Sequence, residues 1–198
     1  MIRPNLAMDA PPTEIMVGGV SYAANTDYRV WLQVLELMRQ WRREADTPEQ
    51  QQQNAQLFTE LQVLIFGGVL ADEDPTQVMA AISEFSRGYP SAPMEAGENG
   101  PEVYSFNWDL NEIIIAIRNQ SGRDISYRCE FFHWWEFLLE FHTLCGEHYI
   151  LNLMEARGYK GNDAELLKRK RRCALPVEHT ADEKAASDEI NALFYNAQ

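Results

Sequence analysis

From His133 to Cys145 the chain reads HWWEFLLEFHTLC, and a helix wound through it is apolar almost all the way round. At helical spacing Trp134, Phe137, Leu138, Phe141 and Cys145 share one face, and Trp135 and Leu139 widen it. Only Glu136, Glu140 and Thr143 keep a narrow polar stripe. Such a helix has to be buried on most sides or lie against a partner. The remainder of the chain must therefore supply walls for it. Trp134 and Trp135 either anchor that core or fill a pocket on a partner, where tryptophan carries much of the binding energy; core packing is the favoured reading.

The walls are legible as further helices, which makes the expected fold mainly α: a helical domain with a small N-terminal β-hairpin. Glu14 to Val17 and Val20 to Ala23 are short β-prone runs around Gly18-Gly19, a two-residue turn that needs positive φ. Asn25-Thr26-Asp27 offers caps for a helix with Trp31, Val34, Leu35, Met38 and Trp41 on one face. Arg29, Gln33, Glu36, Gln40 and Arg43 take the other face. Thr47-Pro48-Glu49 opens a second helix, with a core stripe of Leu57, Phe58, Leu61, Leu64 and Ile65, closed by Gly67-Gly68. Asp74-Pro75 starts a third, with Val78, Ile82 and Phe85 inward and Gly88 as its stop.

After a Pro/Gly-rich stretch, Asn107 is a candidate cap for a stripe of Leu110, Ile113, Ile114 and Ile117 that ends near Gly122. His148 to Arg157 reads as helix with Gly158 as a left-handed cap, and Asp163 caps a last short helix running into Lys168 to Arg172. These boundaries give a flexible N-terminus over 1–13 and a helical domain over 14–176. That domain could form two lobes, 14–88 and 103–176, joined by the Pro/Gly loop. Residues 177–198 form an acidic, alanine-rich C-terminal tail.

Composition narrows the function classes. A chain of 198 residues that is 45% hydrophobic and 11% aromatic can bury a real core. Its 30 acidic against 17 basic residues, a formal charge of -13, argue against nucleic-acid binding, which needs a basic surface to neutralise phosphate. Lys168 to Arg172 is the dense exception. The favoured reading is cations complementing a helix C-terminus; the alternatives are a contact for nucleic acid or for an acidic surface, whether a partner's or the chain's own tail. Residues 1–13 lack the apolar run of a signal peptide. The longest apolar run, Val63 to Ala71, is broken by Gly67-Gly68 and too short to cross a bilayer. With three scattered cysteines, Cys129, Cys145 and Cys173, the expectation is a soluble protein of the bacterial cytosol with reduced thiols and no membrane contact.

Motifs for catalysis are lacking. No GxSxG, Walker A or GxGxxG occurs, and neither CxxC nor HExxH supports a zinc site. His142, Cys145 and His148 stand three apart and keep a metal-dependent enzyme as a remote alternative. The favoured reading is polar tips on a packed helix, with Cys145 as a small buried hydrophobe. No cofactor and no enzymatic activity are expected.

Five segments, taken in order, point to a family. They are Val20 to Arg29 (VSYAANTDYR), Val103 to Asp109 (VYSFNWD), His133 to Phe137 (HWWEF), Gly158-Tyr159-Lys160, and Lys170 to Pro176 (KRRCALP). This order resembles the bacteriophage gene-product-fifteen family, phage and prophage proteins encoded in the tail region near the tape-measure gene. The resemblance runs from about Glu14 to Pro176 and leaves the tail outside. It marks Tyr104, Phe106, Asp109, His133, Trp134, Trp135, Phe137, Gly158, Tyr159, Leu175 and Pro176 as motif and interaction candidates. It implies a tail morphogenesis factor, a tail assembly chaperone that binds the tape-measure protein, the tail-tube subunits or both. The alternative it implies is a structural connector or completion protein retained in the virion. The aromatic helix would then be the surface that masks apolar helices of the partner.

Overall fold

The computed structural model describes residues 9–42, 45–89 and 102–176. They form one two-stranded hairpin and seven helices, the mainly α fold with an N-terminal hairpin expected from the sequence. None of the described helices is long and apolar enough to cross a membrane. The described chain divides into two compact units, Pro12–Ser86 and Arg87–Pro176. The tail over 177–198 and most of the Pro/Gly loop lie outside the described residues.

In the first unit, β1 (Glu14–Val17) pairs antiparallel with β2 (Val20–Ala23), with Val17 opposite Val20. Gly18 and Gly19 turn at φ 58° and 90°, values that burden any residue with a Cβ. β1 buries Ile15 and Val17 and leaves Met16 exposed, the period-two alternation of a half-covered strand. Such a hairpin is stable only when covered, and α3 (Pro75–Ser86) covers it. Tyr22 reinforces the joint by donating from its hydroxyl to Glu73 Oε1 at 2.5 Å.

α1 (Tyr28–Gln40) starts at Asp27, whose carboxylate accepts from the Arg29 amide at 2.9 Å. Its stripe buries Trp31 and Val34, with Trp31 stacked obliquely on Phe85 at 4.7 Å between ring centroids. Trp41 lies past the last helical turn, as the C-cap in extended conformation, rather than on the helical face. Arg43 is outside the described residues. α2 (Pro48–Phe66) opens with a capping box in which Thr47 and Gln50 each take the other's backbone amide, and closes on left-handed Gly67.

The inner stripe of α2 differs from the one read in the sequence. Leu57, Leu61 and Ile65 are buried as expected, but Asn54 and Gln62 join them while Phe58 and Leu64 are only half-buried. Both amides are there because they satisfy loop backbone. Asn54 accepts from the Arg42 amide at 3.2 Å and donates to its carbonyl at 2.8 Å, and Gln62 accepts from the Leu70 amide at 2.9 Å. A buried backbone group without a partner is costly, so a polar side chain displaces an apolar one at these two positions.

In the second unit α4 (Phe106–Ser121) carries the inner stripe Asp109, Ile113, Ala116 and Ile117 and ends on left-handed Gly122. Its cap is Ser105, not Asn107. Asn107 sits in the first turn and donates its amide to Ser105 Oγ at 3.2 Å. α5 is shorter than the apolar run, Trp134–His142. The Thr143 hydroxyl donates back to the Leu139 carbonyl at 2.8 Å, and Gln120 of α4 takes the Cys145 amide and the Thr143 carbonyl, so the chain leaves the helix before Gly146. Cys145 is consequently exposed in the connection, and its assignment to the buried face does not hold. α6 (Tyr149–Gly158) and α7 (Ala164–Cys173) complete the unit.

Candidate functional site

The motif residues of the second unit build two adjoining features, an aromatic cluster and a buried ion pair. The cluster grows from α5. With Trp134 and Phe137 three residues apart, their rings lie stacked, 5.6 Å between centroids and 17° between planes. Phe106, in the first turn of α4, meets Trp134, Phe137 and Phe141 edge-on or tilted at 5.6 to 6.2 Å. Tyr104 closes the group against Phe106 and Phe141 at 5.3 and 4.8 Å. Edge-to-face and offset pairs of this kind add about 0.5–1.5 kcal/mol each beyond the area they bury. Burial also pushes the Tyr104 hydroxyl pKa above the ordinary tyrosine value, with the Glu102 carboxylate adding to it.

Trp134 and Phe137 are 1% and 0% exposed, and Trp135 is 8% exposed, in T-shaped contact with Tyr89 at 5.0 Å. In the folded chain the aromatic face of α5 is core. This is the core packing favoured from the sequence, and not the open surface for masking a partner that the resemblance implied. The polar stripe of α5 is engaged as well. Glu136 and Glu140 flank Arg123 at 3.5 and 3.7 Å, while the Arg123 guanidinium lies over the Phe132 ring at 4.5 Å.

His133 is the N-cap of α5. Its Nδ1 accepts from the Trp135 amide at 3.0 Å, so in this arrangement that nitrogen carries no proton. At 3% exposure it is a buried capping group. Histidine is unusual there, since serine, threonine, asparagine and aspartate are the common caps.

The ion pair joins Asp109 to Arg157. Asp109 lies four residues before Ile113 on the inner stripe of α4, and Arg157 lies four after Leu153 on that of α6. The guanidinium reaches both carboxylate oxygens, Nη1 to Oδ2 at 2.6 Å and Nη2 to Oδ1 at 3.0 Å. It also donates to backbone carbonyls, those of Val103 at 3.1 Å and Cys173 at 2.6 Å. Asp109 also accepts from the Ser105 amide at 2.9 Å, which closes the first turn of α4. One arginine thus ties together the entry to α4, the end of α6 and the end of α7. A buried pair this well satisfied fixes geometry more than it adds stability.

Three parts of the sequence therefore meet at one point: Val103 to Asp109, Arg157 and Cys173. Leu175 is half-buried and Pro176 exposed, just past the carbonyl that Arg157 holds. Gly158 is the last residue of α6 and not a left-handed cap; a Cβ there would meet Val103 Cγ1 at 3.5 Å, ordinary contact. The chain leaves α6 through extended Tyr159. The Tyr159 hydroxyl accepts from the Asp163 amide at 3.1 Å, and its carbonyl accepts from Lys170 Nζ at 2.7 Å.

Arg157 is the residue that reading the motifs missed. The signal was present: Asp109 and Arg157 each interrupt an otherwise apolar stripe, and two opposite charges so placed find each other inside. His142, Cys145 and His148 do not converge. They end α5, lie in the connection and cap α6, and among the described residues no three His, Cys, Asp or Glu side chains are placed to hold a metal ion. α7 buries none of its residues, and its basic run stays at the surface.

Outside the core, the second unit exposes several large apolar side chains. Trp108 and Ile115 stand two turns apart on one face of α4 at 55% and 48% exposure, and Tyr127, Phe131 and Tyr149 are exposed by 83%, 54% and 66%. Comparison of the chain with protein-family models, with curated proteins and with solved structures found no match.

Proposed function

We propose that this chain is a bacteriophage tail morphogenesis factor acting as a tail assembly chaperone. In this role it binds the tape-measure protein in the host cytosol and hands it to the tail-tube subunits. The five ordered segments that resemble the gene-product-fifteen family carry the assignment to tail assembly. The observation that carries the binding role is the exposed aromatic and aliphatic set of the second unit, Trp108, Ile115, Tyr127, Phe131 and Tyr149. Single exposed apolar residues are common on any protein, but four aromatics each more than half exposed in one compact unit are an expected composition for a binding surface.

The motif aromatics have a different part in this reading. Trp134, Trp135 and Phe137 are buried and serve as the core of the unit that carries the exposed set. The mechanism is non-covalent: cover apolar helices of a long partner, keep it soluble, and yield to the tube subunits.

Co-expression with the neighbouring tape-measure protein tests the proposal. The expected result is a soluble tape-measure protein that co-elutes with this chain, and loss of both effects when Trp108 and Ile115 are replaced by Ser without loss of fold. A tape-measure protein that stays insoluble, together with stoichiometric amounts of this chain in purified tails, would transfer it to the structural connector class.

A further inference from the structure

We infer that the outward face of α7, made by Lys168, Arg171 and Arg172 and bordered by Tyr149 of α6, is a docking surface for an acidic helix of a protein partner. α7 lies against α6 and has three half-buried residues, Leu167, Lys170 and Cys173, spaced three apart along one side. Lys168, Arg171 and Arg172 stand at i, i+3 and i+4 on another side, and all three are exposed. Glu165, the one carboxylate of α7, sits in its first turn, where the helix dipole favours it.

Other cations of the chain are engaged. Arg29 pairs with Asp27, Arg123 lies between Glu136 and Glu140, and Arg157 holds Asp109. Within α7, Lys170 and Arg169 donate to the carbonyls of Tyr159 and Asn152, at 2.7 and 3.4 Å. Among the described residues, Lys168, Arg171 and Arg172 have no hydrogen-bond or ion-pair partner. In a chain with 30 acidic against 17 basic residues, carboxylates are abundant, and none is placed on these three. Complementing the dipole accounts for cations in the last turn, Lys170, Arg171 and Arg172, but Lys168 stands ahead of it. Tyr149, 66% exposed, opens α6, and the Asn152 carbonyl that Arg169 reaches lies one turn further along. The basic face therefore borders an exposed aromatic, and tyrosine and arginine are the residue types enriched where binding energy concentrates.

The charge of the face and the spacing of its groups name the occupant. Carboxylates at i, i+3 and i+4 of a partner helix repeat the spacing of the three cations, and each guanidinium fork can take a carboxylate by two hydrogen bonds. Residues 87–176 carry 11 basic against 13 acidic side chains, so most of the chain's charge of -13 lies outside the unit that holds this face. A nucleic acid fits less well. It draws its affinity from many phosphates neutralised together along the backbone, and three cations on one side of a 10-residue helix offer too few. Exposed ion pairs contribute little singly, so the face steers and registers a partner that also makes apolar contact, for which Tyr149 is at hand. The inference goes beyond the tail-assembly reading and fails separately from it, because Trp108 and Ile115 take no part.

The test uses the full chain, labelled for amide NMR, and three probes. The first is a synthetic helical peptide of about 20 residues with glutamates at i, i+3 and i+4 and a leucine in each turn. The second is the same peptide with glutamine for every glutamate, and the third is a DNA duplex of matched charge. The expected result is a shift of the α7 and Tyr149 amide signals with the acidic peptide and not with the glutamine peptide, at an affinity that about 0.5 M salt lowers roughly tenfold. Lys168→Glu should weaken binding by about threefold or more, and Arg118→Glu, an equal change of charge at the end of α4, should leave it as it was. Arg171→Gln with Arg172→Gln, which brings no new charge to the helix, should act as Lys168→Glu does, and amide protection of α7 in each variant checks that the helix is folded. No shift in α7 with the acidic peptide, equal shifts with the glutamine peptide, or equal losses from Lys168→Glu and Arg118→Glu overturns the inference. Tighter binding of the duplex to the same residues also overturns it and gives the face to a phosphate backbone.

Discussion

Arg157→Met isolates the contribution of the buried ion pair, because methionine keeps most of the side-chain stem and removes only the guanidinium. In the variant Asp109, 5% exposed at its side chain, would keep the Ser105 amide as donor and lose both guanidinium bonds. Removing one partner of a buried pair typically costs about 3–5 kcal/mol, since the other charge stays behind unpaired. The Val103 and Cys173 carbonyls lose their donor as well; both can recover water in part, so each adds no more than about 1 kcal/mol. The pair alone, about 4 kcal/mol before the two carbonyls add to it, is a large share of the roughly 5–15 kcal/mol that holds an ordinary domain folded.

Because the chain has two units, global unfolding is a blunt readout. Amide exchange read peptide by peptide is sharper, with α2 as internal reference. The expectation is a fall in protection of about a thousandfold in α4 and α6, each 1.4 kcal/mol being tenfold. α7 should open first, since it buries no residue and is held through Arg157, through Lys170 to the Tyr159 carbonyl and through Arg169 to the Asn152 carbonyl. Asp109→Leu combined with Arg157→Met should recover at least half of the loss, as apolar replacements of buried pairs commonly do. A fall of less than tenfold in α4 for Arg157→Met, or a double variant as damaged as the sum of the single ones, would refute the reasoning.

Three further perturbations are sharp enough to fail. His133→Ala removes the acceptor for the Trp135 amide and should cost about 0.5–2 kcal/mol in thermal unfolding followed by near-UV circular dichroism. His133→Asn, which keeps an acceptor at the cap, should recover part of that; equal damage from both would mean that the ring matters for packing and not for capping. Asn54→Ala strands the Arg42 amide and carbonyl and should lower stability by about 1–3 kcal/mol, with the Arg42 amide exchanging freely in NMR. The Tyr22 hydroxyl titrates above its ordinary value, first because it donates to Glu73, then because of partial desolvation and the nearby Glu73 and Asp72 charges. A raised value in the folded state means that the joint is intact below the unfolded tyrosine value near 10 and is lost as pH rises through the raised one. Glu73→Gln should bring the Tyr22 ring-carbon titration down, and an unchanged midpoint would exclude the hydrogen bond as the cause.

The local signals in the sequence determined the helices and most of their starts and ends. Asp27, Thr47 and Asp163 cap because short polar side chains satisfy free amides. Gly67 and Gly122 close because only glycine turns left-handed without strain, and the stripe Val78, Ile82, Phe85 buries as its spacing requires. Each of these depends on neighbours within four residues, so the chain alone suffices.

The failures share the opposite cause. Asn54 and Gln62 are buried because loops at Arg42 and Leu70 come to them, eight to twelve residues away. α5 stops at His142 because Gln120, from another helix, takes the backbone of the connection. Whether Trp134 and Trp135 faced core or partner was open in a helical projection, which gives a face but not what lies against it. Tyr89 and Phe106 decided it by arriving there. The same holds for Asp109 and Arg157: two charges on apolar stripes, 48 residues apart, become one knot only when the helices that carry them pack, because a guanidinium is satisfied by atoms within about 3 Å in space and not by spacing along a chain.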